Sequence, residues 1–128
     1  MDKTCIVIIG MHRSGTSALA GFLHHLGINM GKELLEPQFD NPKGFYENKQ
    51  ITFFNEFELL PILKSSWHDI YPINWSNIEE RKKDLYNKAK ELIQNSYPDT
   101  EFIGIKDPRI CVLFPFWEDV LNSLGFKI

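Results

Sequence analysis

Cys5-Ile6-Val7-Ile8-Ile9, followed by Gly10-Met11-His12-Arg13-Ser14-Gly15-Thr16-Ser17, decides how this chain is read. The first five residues are apolar and mostly β-branched, which suits a parallel strand buried on both faces. Beyond the second stretch, Leu19, Phe22, Leu23 and Leu26 recur at helical spacing, and Gly27 supplies a stop. A glycine-bracketed loop therefore joins a buried strand to the start of a helix. That arrangement aims backbone N–H groups and the positive end of a helix dipole at one point, which makes an anion site.

The loop reads G-x-x-x-x-G-x-S, close to the phosphate-binding P-loop pattern. It departs at one position. Thr16 stands where a nucleotide triphosphatase has lysine, and the cation comes earlier, at Arg13. A guanidinium there grips an anion through a bidentate fork. The bland alternative is a tight strand-to-helix turn, with glycine for conformation and serine for capping.

At 128 residues the chain is one domain at most, and it has the means to bury a core: 43% of residues are hydrophobic and 13% aromatic, with ten Phe. A net charge of −3 without a basic stripe excludes a general nucleic-acid binder. No apolar run is long enough to span a membrane. Met1-Asp2-Lys3-Thr4 passes straight into the strand, so no signal peptide is expected. Cys5 and Cys111 form no disulfide framework or metal-ligand pattern, and the expected setting is reducing and cytoplasmic.

Pro37, Asp40, Asn41, Pro42 and Gly44 mark a loop from Leu35 to Gly44. A helix fits Asn48 to Leu60, with Ile51, Phe53, Phe54, Phe57 and Leu60 as its apolar face and Pro61 as its end. Ser65 to Trp75 reads as irregular, with Trp67 and Trp75 as packing anchors. Ser76-Asn77-Ile78-Glu79 reads as a capping box. It opens a charged helix to about Gln94, whose inner stripe is Leu85, Tyr86, Ala89, Leu92 and Ile93. Phe102-Ile103-Gly104-Ile105 is the second strand. Pro115 suits the first turn of a helix with Trp117, Val120, Leu121 and Leu124 inside. Phe126-Lys127-Ile128 begins a third strand, so the chain is expected to stop inside an element and to be the N-terminal portion of a larger protein.

Ligands of open α/β sheets collect beyond the carboxyl ends of the strands. The glycine loop and Lys106-Asp107-Pro108-Arg109 both leave strands at that edge, so one cleft is expected to hold both. A lysine there stabilises charge developing on a leaving group. The plain alternative is a salt-bridge cluster around Asp107.

Three segments together resemble the sulfotransferase superfamily that uses 3′-phosphoadenosine 5′-phosphosulfate (PAPS). Gly10 to Ser17 resembles its 5′-phosphosulfate loop. Asn41-Pro42-Lys43-Gly44-Phe45-Tyr46-Glu47 resembles the segment that carries the catalytic carboxylate, and Ile105-Lys106-Asp107-Pro108-Arg109 is similar to the strand-end lysine motif. The resemblance implies a P-loop-type three-layer α/β fold with a parallel sheet, truncated after the start of the third core strand. Residues 1–128 would be the N-terminal part of a single domain.

It also implies in-line transfer of a sulfuryl group from PAPS to a hydroxyl or amine, with no metal required. Arg13, Ser14, Gly15, Thr16 and Ser17 would hold the 5′-phosphosulfate. Lys106 would meet the leaving oxygen, and Glu47 would take the acceptor's proton. The family's 3′-phosphate site falls beyond Ile128, which puts independent activity of this stretch in doubt. The acceptor, whether small molecule, glycan or peptide, stays open, as does the oligomeric state.

Two other readings stand beside this one. A P-loop kinase or nucleotide triphosphatase would use Asp107 to hold magnesium, against the missing lysine at Thr16. A non-catalytic domain would at most bind an anion.

Overall fold

In the computed structural model, which describes residues 3–11, 15–35, 46–65, 73–98 and 100–128, the apolar N-terminal run forms β1 (Lys3–Ile8). β2 (Phe102–Lys106) lies parallel beside it, with Ile6 opposite Gly104 and Ile8 opposite Lys106. β3 (Phe126–Lys127) pairs, also parallel, with Lys3 and Thr4 on the other side. Among the described residues this gives one sheet in the order β2-β1-β3. The central place goes to the strand that reads as buried on both faces.

The helices are α1 (Thr16–His25), α2 (Lys49–Phe54), α3 (Leu60–Ile62), α4 (Lys82–Ser96) and α5 (Ile110–Ser123). Strand side chains alternate between faces, and this sorts the core into two parts. Cys5, Ile103 and Ile105 join the large cluster built with Ile51 and Phe54 of α2, Leu85, Ala89 and Ile93 of α4, and Leu113, Phe116 and Trp117 of α5. Ile6 and Ile8 point the other way, into a small cluster with Ala20 and Leu23 of α1 and with Met30. Helices thus cover both faces of a parallel sheet, an α/β arrangement compatible with three layers.

On α1, the apolar residues Leu19, Phe22 and Leu26 are 51%, 61% and 63% exposed, while Ala20 and Gly21 are buried. The reason is close approach. A Cβ on Gly21 would lie 2.9 Å from the Tyr46 ring, so at that point α1 sits against its neighbour without a side chain between, with Leu23 partly buried beside it. On the second helix Phe53 and Phe57 are exposed and stack edge to face on each other.

Pro61 does not end that helix. Asn55–Leu59 widen into a π-helical turn, in which the Leu60 N–H bonds to the Asn55 carbonyl. The chain then continues through Pro61 to the end of α3 at Ile62. The shifted register is how an α-helix accommodates the missing proline donor.

Ser76 is not the cap before α4. Asn74 instead caps a 3₁₀ segment, Trp75–Arg81, that leads into α4: its side chain accepts from the Ser76 N–H. The inner stripe of α4 is as expected, with Leu85, Ala89 and Ile93 buried and Tyr86 and Leu92 packed beside them. α5 starts at Ile110 and carries Pro115 in its interior, at an exposed position. The turn at Asp107-Pro108-Arg109 starts it instead, with the Ile110 N–H bonded to the Asp107 carbonyl at 2.9 Å.

This placement of α1 can be tested by denaturant unfolding. Phe22→Ser, on the exposed face, is expected to change stability by less than about 0.5 kcal/mol. Ala20→Leu, which overpacks the seat beside Ile8 and Met30, is expected to cost roughly 1–3 kcal/mol.

Candidate functional site

Lys106 is the last residue of β2, on the face that carries α1. Its Nζ donates to Ser17 Oγ, in the first turn of α1, at 3.2 Å. Asp107, the next residue, turns to the opposite face. There its Oδ2 accepts from Asn55 Nδ2 at 2.9 Å, and Asn55 Oδ1 accepts from Trp117 Nε1 at 2.8 Å. Asp107 Oδ1 accepts twice from Arg109, from the backbone N–H at 3.1 Å and from Nη1 at 2.9 Å. Arg109 Nε donates to Glu56 Oε2 at 2.7 Å.

Glu47 joins the two sets. Its Oε2 lies 3.3 Å from Lys106 Nζ and its Oε1 3.7 Å from Arg109 Nη1. Lys106 is 3% and Glu47 4% exposed, so this is a buried ion pair. A charge buried without such a partner costs several kcal/mol or changes its protonation.

Both chain neighbours of Glu47 are pinned. Its own carbonyl accepts from the Leu35 N–H at 2.9 Å, and the Lys49 N–H donates to the Glu33 carbonyl at 2.8 Å. Asn48 caps α2, its Oδ1 accepting from the Gln50 and Ile51 N–H groups. Asn48 Nδ2 donates to the Tyr97 hydroxyl at 3.2 Å, and that hydroxyl lies 3.0 Å from the Gly104 carbonyl and 3.2 Å from that of Met30. Tyr46 sits at φ +57, a conformation costly for a bulky residue, and its ring packs on Gly21 and His24. The start of α2, the end of α4 and the middle of β2 thus fix where Glu47 enters.

Burial pushes the Glu47 carboxyl above the ordinary carboxylate range. Lys106 and Arg109 pull against this, and Asp107 adds to it. Burial also opposes the Arg109 charge, but Asp107 and Glu56 outweigh it and hold the guanidinium above its ordinary value. The result is a carboxylate of increased proton affinity beside a lysine able to meet an anion, at the carboxyl end of a parallel sheet. That combination suits general-base chemistry next to developing negative charge.

Of the expected site residues, Glu47, Lys106 and Ser17 come together directly. Thr16 is buried as the first residue of α1, and Gly15 before it sits at φ +90. Arg13 and Ser14 lie outside the described residues, as do His12, Trp67 and Asn41-Pro42-Lys43-Gly44-Phe45. Asn55, Glu56 and Trp117 were not singled out from sequence as site residues. The signal available was Asn55, a polar residue at helical spacing from apolar Ile51 and Leu59. Comparison of the chain with protein-family models, with curated proteins and with solved structures found no match.

The raised Glu47 pKa has a consequence for stability. A carboxyl that binds its proton more tightly in the folded state favours folding most below its unfolded pKa, about 4.3, and this favour is lost as pH rises through the folded value. Wild-type stability relative to Glu47→Gln is therefore expected to fall as pH increases from about 4, then level off. Urea melts of both proteins across pH 4–8 check this, and parallel profiles would contradict it.

Proposed function

We propose that this chain supplies the 5′-phosphosulfate side and the catalytic pair of a PAPS-dependent sulfotransferase. The observation that carries the reading is the meeting of Glu47, Lys106 and Ser17 beyond the carboxyl end of β2. These residues come from three of the segments on which the family resemblance rests. A buried acid–base pair beside the start of α1 is what in-line transfer of an anionic group needs.

In the proposed reaction the acceptor oxygen or nitrogen gives its proton to Glu47 as its bond to sulfur forms. The bond between sulfur and the bridging oxygen breaks, and Lys106 stabilises the charge left on the 5′-phosphate. Arg13, Ser14, Gly15, Thr16 and Ser17 would hold the phosphosulfate through backbone N–H groups, hydroxyls and the guanidinium. As in phosphoryl transfer, positioning and charge stabilisation account for most of the catalysis. The acceptor would be a small molecule, glycan or peptide. No residue of this stretch is assigned to the 3′-phosphate.

The kinase reading needs Asp107 free for magnesium. Both Asp107 oxygens are instead engaged, by Asn55 on one side and Arg109 on the other, at 1% exposure. The geometry therefore favours sulfuryl transfer over magnesium–nucleotide chemistry.

Calorimetry with 3′-phosphoadenosine 5′-phosphate (PAP), the desulfated product, tests the proposal. Binding without metal is expected, and binding of ATP only with Mg²⁺ would overturn it. Lys106→Gln and Arg13→Ala are each expected to weaken PAP binding by roughly 10- to 100-fold, the equivalent of losing one hydrogen bond to a charged group.

A further inference from the structure

Arg109 has no role in the chemistry above, yet it is a firmly held cation near Glu47. Glu56 grips its Nε at 2.7 Å and Asp107 its Nη1 at 2.9 Å. Those carboxylates are fixed in turn. Asp107 is bonded to Asn55, which is bonded to Trp117, and Glu56 rides on the same π-helical turn as Asn55. A guanidinium clamped this way presents Nη1 to Glu47 Oε1 at 3.7 Å.

Lys106 holds the other Glu47 oxygen, but on different terms. Its ammonium is a point charge on a flexible stem, shared with Ser17, whereas the arginine fork is rigid and preorganised. An anion at the start of α1 competes with Glu47 for Lys106. Arg109 has two further carboxylate partners of its own, Asp107 and Glu56.

We infer that Arg109 is a positioning residue, which keeps the Glu47 carboxylate at the end of β2 when Lys106 turns from it to a bound anion. The inference rests on the proposed sulfuryl transfer for the reaction Glu47 serves. The hold itself is a property of the free protein. Among the described residues, the charged groups facing Glu47 are Lys106 from the end of β2, and Asp107 and Arg109 from the turn after it, with Glu56 of the π-helical turn acting through Arg109.

The test is direct titration of Glu47 in the ligand-free protein, by NMR of ¹³C-labelled glutamate carboxyls. The Glu47 signal is assigned by its loss in Glu47→Gln. Arg109→Gln is expected to raise the Glu47 midpoint by about one unit, the low end of what an opposite charge at this range does. Arg109→Lys keeps the charge without the fork and is expected to fall between the two.

An unchanged midpoint in folded Arg109→Gln overturns the inference. Should Arg109→Gln fail to fold, Arg109→Lys decides: a midpoint above wild type supports the hold, and one equal to it overturns the hold. A shifted midpoint in a protein that binds ATP only with Mg²⁺ supports the hold and overturns the sulfuryl-transfer reading, so the two failures are distinguishable.

Discussion

Lys106 and Glu47 are two charges that the fold keeps almost wholly from water. Each is made tolerable in large part by the other, with Arg109 beside Glu47 and Ser17 beside Lys106. The rest of the site follows from that requirement. β2 has to end where its last side chain reaches the first turn of α1. The chain before α2 has to bring a carboxylate to the same place. The bonds of Asn48 and Tyr97 to the sheet hold that path at the residue after Glu47.

Strand alternation then divides the work at the end of β2. Lys106 faces α1 and the glycine loop's helix start, while Asp107 faces the side of α2 and α5. Two consecutive residues thus belong to two polar systems on opposite faces of one sheet. One is the ion pair of Lys106 and Glu47. The other runs from Trp117, in the larger core cluster, through buried Asn55 and Asp107 to the partly buried Arg109. Glu47 touches both, so a change at the first is passed to a group braced by the second.

Much of the framework was legible in short-range signals. The apolar run of β1, the glycine before α1 and the lysine at the end of β2 need only their neighbours to be read. Glu47 was legible through its resemblance to a catalytic segment. Nothing in its spacing from Lys106 joins the two, because the contact is made by the path of the chain. The face of α1 was not legible. Helical spacing of Leu19, Phe22 and Leu26 shows that an apolar stripe exists, but Ala20 and Leu23 are the side chains that meet the sheet. The start of α5 was misplaced because Pro115 looked like a first-turn proline, while the turn at Asp107 had already begun the helix. Arg109 was visible in its motif, but its two carboxylate partners come from separate parts of the chain.

A double-mutant cycle on Glu47→Gln and Lys106→Met, measured by denaturant unfolding at pH 7, tests most directly whether this buried pair is the constraint on the site. If it is, Glu47→Gln is more favourable in the Lys106→Met background than in wild type, with a coupling within roughly 0.5–3 kcal/mol. Additivity of the two substitutions to within about 0.3–0.5 kcal/mol would contradict it.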